Sequence, residues 1–276
     1  MARNQTGSGP IVECTNLLRV FESAGGRVLA VRGVDLSIDA GRAVAIVGPS
    51  GSGKSSLLRM IAGLDAPSAG DVYIRGTNLA RLSPGKRAAV RAKLLSHVHP
   101  KPNDNLLPHL TAIDQVARVA ARRKAGRNAA HEMFEMLGLT TRAGYFPDQL
   151  SGGEQQRLAF ARSAVGDPAL IIADEPTAEL DADSSVLVLD TIGLLTASGI
   201  TVIIATHDAR VLDHVDEVVT LRDGSVSSVT IAGSELAVID QAGRIQLPAH
   251  VFEHFPDHRA RLTWDPVERR LTVEEP

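Results

Sequence analysis

One cysteine stands in the whole chain of 276 residues. Cys14 has no partner to bridge, so an internal disulfide framework is excluded and a reducing compartment is expected. It reads as a small buried residue rather than a nucleophile. No apolar run approaches the roughly 20 residues that span a bilayer. The start MARNQTGSGP is polar, with no apolar stretch behind it, so no secretory signal is expected. The expectation is a soluble chain whose membrane role, if it has one, comes through a partner. Excess charge is lacking too: the formal net charge is −3, which gives no whole-protein attraction to nucleic acid or to an acidic membrane surface. Lysine is absent from residue 225 onward, where five arginines face eight acids. That shift in composition marks 225–276 as a separate small module. What remains is ordinary globular composition, 44% hydrophobic and 22% charged, with no internal repeat.

Residues 1–10 read as a flexible tail. Residues 11–38 alternate apolar and polar side chains around Gly25-Gly26, the pattern of antiparallel strands. The run Ala43-Val44-Ala45-Ile46-Val47 is apolar throughout, as a strand buried on both faces of a parallel sheet requires. A glycine-rich turn follows, then helical character at 55–62. From 82 to about 137 the pattern is helical and charge-rich. Two later apolar runs, 169–173 and 200–205, flank a helical segment at 184–196; they end in Asp174-Glu175 and in Thr206-His207-Asp208. Three strands thus deliver polar clusters to one sheet edge, where chemistry gathers in open α/β folds. The expected fold class is α/β. It has a mostly parallel sheet, an antiparallel β subdomain, an inserted helical subdomain at about 82–160, and a small C-terminal β-rich module.

The run Gly48-Pro49-Ser50-Gly51-Ser52-Gly53-Lys54-Ser55, with Ser56 next in the helix, satisfies G-x-x-x-x-G-K-[ST]. Its glycines let successive N–H groups point at phosphate oxygens, and the helix start adds its positive end. Lys54 is expected to reach the β- and γ-phosphates of ATP, and Ser55 to coordinate Mg²⁺. Asp174, at a strand end, suits the same Mg²⁺, and Glu175 is placed to polarise a water attacking the γ-phosphate. Leu150-Ser151-Gly152-Gly153-Glu154 opens a helix with a capping box from Ser151 to Glu154. The box alone leaves two glycines in a first turn unexplained; close approach of a second anion explains them.

Together these motifs resemble the nucleotide-binding subunit of ABC transporters, a P-loop ATPase, over roughly 11–224. The resemblance implies ATP and Mg²⁺ as cofactors and makes Ala178-Glu179-Leu180-Asp181 the D-loop, with Asp181 among the nucleotide-binding residues. By it, His207 is the switch histidine at the γ-phosphate and Phe21 the aromatic that stacks on adenine. It also implies a head-to-tail dimer with a second copy or a paralogous ATPase, in which Ser151, Gly152 and Gly153 cap ATP held by the other copy's Lys54. Asn105-Leu106-Leu107-Pro108-His109-Leu110-Thr111 is similar to the branch of lipoprotein-releasing, macrolide-efflux and FtsE-type ATPases. That branch implies a separate integral membrane permease, FtsX/MacB-like, and a cytoplasmic chain peripheral on the inner face of the membrane, with no nucleic acid partner. The alternative is a mechanotransmission ATPase of cell-division or envelope type that moves no solute.

One part of the family pattern is missing. A glutamine normally ends the strand before the helical subdomain and touches Mg²⁺ and the attacking water. Here the segment reads Ser96-His97-Val98-His99-Pro100-Lys101-Pro102, and no glutamine occurs between Gln5 and Gln115. The best register puts Pro100 at that position; a second register puts Pro102 there. Proline supplies neither a ligand nor an N–H, so slow hydrolysis, or altered coupling to the partner, is expected. His97 and His99 could suggest a metal but read better as packing. His250-Val251-Phe252-Glu253-His254 formally matches a zinc-peptidase pattern and reads better as an amphipathic helix. The basic clusters around Lys86-Arg87 and Arg122-Arg123-Lys124 read as solvated helix faces. Residues 237–248 resemble the core of the AbrB-type hairpin domain, with Gly243 at a turn, which implies a dimerising or regulatory appendage.

Overall fold

Alternation along the central strands divides the core in two. The computed structural model describes residues 9–23, 26–239, 245, 247, 251, 253–255 and 259–274. Strands β3 (Ala43–Val47), β7 (Leu170–Asp174) and β8 (Thr201–Ala205) run parallel and are almost wholly buried. Successive side chains of a strand point to opposite faces. Ala45, Ile171, Ala173, Val202 and Ile204 therefore pack with the later helices. Val44, Ile46, Leu170, Ile172 and Ile203 pack with the first helix and the antiparallel sheet.

That antiparallel sheet has four strands: β1 (Val12–Ser23), β2 (Gly26–Ile38), β4 (Ala69–Ile74) and β5 (Thr77–Asn78), in the order β2-β1-β4-β5. Gly26 is described at the expected turn, and Gly25 lies outside the described residues. The larger sheet has seven strands in the order β11-β10-β9-β3-β8-β7-β6. It adds β6 (Leu95–Val98), β9 (Glu217–Arg222), β10 (Ser225–Ile231) and β11 (Ser234–Ala237). Strands β9 and β10 pair across residue 225, so the shift in composition does not coincide with an edge of the sheet. Val226 and, beyond a register shift, Val229 continue the same core while only the charge changes, which is why composition and pairing part company there.

Helix α1 (Lys54–Ile61) follows β3, and α2 (Pro84–Leu94) leads into β6. Between β6 and β7 lie α3 (Pro102–Asn105), α4 (Ala112–Arg123), α5 (Ala129–Met136) and α6 (Gly152–Ala164); α7 (Ala182–Ala197) precedes β8. One cation ties this helical part to the sheet. Arg123, at the end of α4, donates to the carbonyls of Ser163 and Val165, both at 2.9 Å, to that of Leu95 and to Ser96 Oγ. Burial opposes its charge, and the carbonyls at the C-terminus of α6 compensate. Beyond β11, Ile239 bridges Ile245, while Gly243 lies outside the described residues. A hairpin of β12 (Arg261–Asp265) and β13 (Arg270–Glu274) forms its own two-stranded sheet. Of the stretch 250–254, His250 and Phe252 lie outside the described residues, and Val251 accepts from His254 N at 3.2 Å. Among the described residues, no helix is long and apolar enough to cross a membrane.

Candidate functional site

The turn after β3 is crowded on both sides, and its glycines answer to that crowding. Gly48, Gly51 and Gly53 have φ of 150°, 81° and 100°. A Cβ on Gly48 would sit 2.2 Å from the Leu221 carbonyl oxygen, and one on Gly53 would sit 2.3 Å from that of Ala30. The loop is thus wedged between β2 and the β9–β10 turn, whose Gly224 N donates to the Ser52 carbonyl at 3.1 Å. Gly53 caps α1 without a side-chain hydrogen bond. Lys54 Nζ reaches back over the loop to the carbonyls of Gly48 (2.7 Å) and Pro49 (3.1 Å). Ser52 Oγ is buried with no partner. A cavity of about 250 Å³ opens here, lined by Ala30, Gly51, Ser52, Gly53, Lys54, Ser55 and Ser56. An uncapped helix start, a lysine and an orphaned hydroxyl make an anion cradle. A larger cavity of about 460 Å³ lies at the amino ends of β7 and β8, lined by residues such as Arg123, Gly166 and Ile200. Chemistry rather than size distinguishes the two.

Asp174 ends β7 in register with Ala205 of β8. Burial and the neighbouring Glu175 charge raise its carboxyl, while Lys54 and His99 oppose them. Glu175 takes a left-handed φ of 45°, and its N–H donates to the Ala205 carbonyl at 2.8 Å. That turn aims the carboxylate at the end of β8. Its Oε2 accepts from Thr206 Oγ1 at 3.0 Å, and its Oε1 lies 2.7 Å from His207 Nδ1. A carboxylate only accepts, so Nδ1 carries the proton and Nε2 faces outward. Sequence reasoning singled out Glu175 and His207 but not the pair beneath them. Thr177 Oγ1 donates to Asp208 Oδ2 at 2.8 Å, and Asp208 also accepts from Arg210. Arg210 holds the Asp208 carboxyl down to about 2, against the effect of burial. The triplet Thr206-His207-Asp208 after an apolar run was the available signal.

The second glycine-rich helix start lies elsewhere. Ser151 Oγ accepts from Glu154 N (3.3 Å), and Glu154 Oε2 accepts from Ser151 N (2.9 Å), which completes the expected capping box. Arg142 Nε donates to Glu154 Oε1 at 2.7 Å and anchors it. Ser151 and Gly152 are exposed, whereas Gly153 is buried. A Cβ on Gly153 would come within 2.8 Å of Ser184 Cβ. Anion approach is therefore not needed to explain that glycine: it lets α6 pack against α7. Asp181 caps α7, accepting from Ser184 N at 2.8 Å. Neither Asp181 nor Ser151–Gly153 of the same chain lines the cavity at Lys54.

Phe21 is exposed on β1 opposite Val28, and the Arg19 guanidinium lies 4.6 Å from its ring centroid, a neighbour the sequence did not suggest. Pro100 sits in the turn after β6. His97 stacks edge-on against His99 at 4.5 Å between centroids, and burial pushes its imidazole down to about 4, so it packs as a neutral ring. Among the described residues no group of three His, Cys, Asp or Glu side chains is placed to hold a metal.

Comparisons with known proteins agree with this geometry. Residues 31–178 match the family model described as ABC transporter. The lipoprotein-releasing system ATP-binding protein LolD of Hyphomonas neptunium is 36% identical, over 79% of this chain and 96% of that protein. The macrolide export ATP-binding/permease protein MacB of Neisseria meningitidis is 38% identical over 86% of this chain, a match that spans 37% of that longer protein. A solved structure of a dimeric ATP-binding cassette in a post-hydrolysis state, bound to ADP and Pi, is 33% identical with a TM-score of 0.70 and covers 80% of this chain and 98% of its own. The chain belongs to the ABC transporter family, as an ATP-binding and ATP-hydrolysing cassette.

Proposed function

We propose that this chain works as a head-to-tail homodimer on the inner face of the cell membrane, where it energises a separate FtsX/MacB-like permease. The observation that carries the proposal is the division of labour between the two glycine-rich helix starts. The one at Gly53 lacks a side-chain cap and holds the lysine, while the one at Ser151 satisfies itself and faces outward. In this reading the N–H groups of residues 48–56 and Lys54 hold the phosphates, and Phe21 stacks on the adenine. Ser151, Gly152, Gly153 and Asp181 of the second copy close the site.

Ser55 and Asp174 would hold Mg²⁺. Both offer hard oxygen donors, and Mg²⁺ is ordinarily bound by one or two carboxylates together with substrate phosphates and water. Bound there, the ion would neutralise charge on the β- and γ-phosphates. Glu175 orients the attacking water and takes its proton. His207, held by Glu175, turns its outer nitrogen to the terminal phosphate. The tail beyond β11 serves as a dimerising or regulatory appendage.

Affinity purification of the tagged full chain from detergent-solubilised membranes tests the partner. An integral membrane subunit with a large extracytoplasmic domain is expected to co-purify. Recovery of the chain without any membrane protein would contradict the proposal.

A further inference from the structure

Four parallel strands, not three, bring chemistry to the carboxyl edge of the large sheet. Strand β6 pairs with β7 so that Val98 lies opposite Ala173. His99 is the first residue past β6 and Asp174 the last residue of β7, so the two follow that pair at the same edge. Lys54 and, to a smaller extent, His99 oppose the burial that raises the Asp174 carboxyl.

His99 is also held in place. Asn105, 5% exposed at the end of α3, accepts from His99 N at 2.7 Å through Oδ1 and donates to the His99 carbonyl at 2.9 Å through Nδ2. The same Nδ2 donates to the Lys101 carbonyl at 3.1 Å, which closes the turn through Pro100. A two-point clamp on one residue's backbone restricts both its position and its direction. On the ring itself, neutral His97 packs edge-on at 4.5 Å. His99 is itself exposed and borders a cavity of about 260 Å³ that it shares with His97, Arg91 and Arg122. A polar ring fixed at its backbone, supported on one side and open on the other is suited to meet a ligand.

We propose that His99 serves the terminal phosphate of ATP, in place of the glutamine this chain lacks, as a further catalytic residue. This rests on the roles proposed above for Lys54 and Asp174. In hydrolysis the water oxygen bonds to the γ-phosphorus as the bond to the bridging oxygen breaks. ADP leaves with that oxygen, and the water proton passes to Glu175. His99 gives one imidazole N–H to a γ-phosphate oxygen throughout and exchanges no proton. Hydrolysis is thereby supported where Pro100 offers nothing, and Asn105 is the positioning residue that holds the donor.

Steady-state ATPase kinetics of the full chain with Mg-ATP test this. His99→Ala and His99→Phe are each expected to lower kcat at least about tenfold while KM stays within about twofold, because the contact strengthens in the transition state. His99→Gln, which restores a donor, is expected to recover at least about half of the parent kcat. His97→Phe keeps a supporting ring and is expected to stay within about twofold of the parent. The proposal is overturned if His99→Phe keeps the parent kcat, if His99→Gln is no better than His99→Phe, or if His97→Phe loses as much. Lys54→Ala in the same assay separates the two claims. Its failure to abolish turnover overturns the site reading, whereas its loss alongside an active His99→Phe overturns only the role of His99.

Discussion

Two helices of this protein begin at glycines, and they begin in opposite ways. At α1 the glycines are demanded by backbone: Gly48 and Gly53 have positive φ and have carbonyls of β9 and β2 pressed against them. No side chain caps that helix, so its first N–H groups suit a bound anion. At α6, Gly152 and Gly153 are not left-handed, and a full capping box already serves the helix. One start is built to be completed by a ligand. The other is complete and presents an ordered, exposed surface, which suits a closing lid better than a primary phosphate site.

The largest effect that breaks this contrast is Gly53→Ala. Its methyl group would need the space of the Ala30 carbonyl at a left-handed φ, and a stability loss of about 2–4 kcal/mol is expected. Calorimetric titration with ATP is expected to show no binding. Next comes Glu175→Gln, which keeps the shape but removes the proposed base. Turnover is expected to fall by about 10²-fold or more, while ATP binding measured by the same titration persists.

The α6 start is then sharpened by a pair of variants. Gly153→Ala meets Ser184 at 2.8 Å, and chemical denaturation is expected to show a loss of about 1–3 kcal/mol. Gly152→Ala meets only Leu180 at an ordinary 3.4 Å, so folding is expected to be unchanged while ATP-dependent dimerisation in size-exclusion chromatography weakens. Equal destabilisation by both would show that the two glycines share one packing role.

The smallest effect is one of pH. Asp208 is held down to about 2 by Arg210 and Thr177. A carboxyl depressed in the folded state stabilises the fold fully above its ordinary value of 3.8 and loses that contribution as pH falls toward about 2. Asp208→Asn is therefore expected to flatten the fall in melting temperature across that acid window.

Much of this was readable from residues 43–55, because a buried parallel strand, a glycine turn and a helix are local patterns. The expected polar clusters at 174–175 and 206–208 likewise follow apolar runs. What could not be read is non-local. The support of Gly48 by Leu221 joins residues far apart in sequence, as does the clamp of Ser52 by Gly224. The half-buried Arg123 looked like one of three exposed basic residues, because its partners are mostly carbonyls and carbonyls leave no trace in a side-chain pattern. His99 read as packing beside His97 because only the register of β6 on β7 brings it to Asp174.

The central claim is that the start at Ser151 completes the site of another copy. Mixing two inactive variants, Lys54→Ala and the double variant Ser151→Ala with Gly152→Asp, tests it most directly through ATP hydrolysis. A mixed head-to-tail dimer contains one intact pairing of Lys54 with Ser151 and Gly152. The account predicts that the mixture recovers roughly a quarter of the parent rate, since half of the dimers are mixed and each of those has one good site of two. A mixture as inactive as its components, with mixed dimers shown to form, would contradict it.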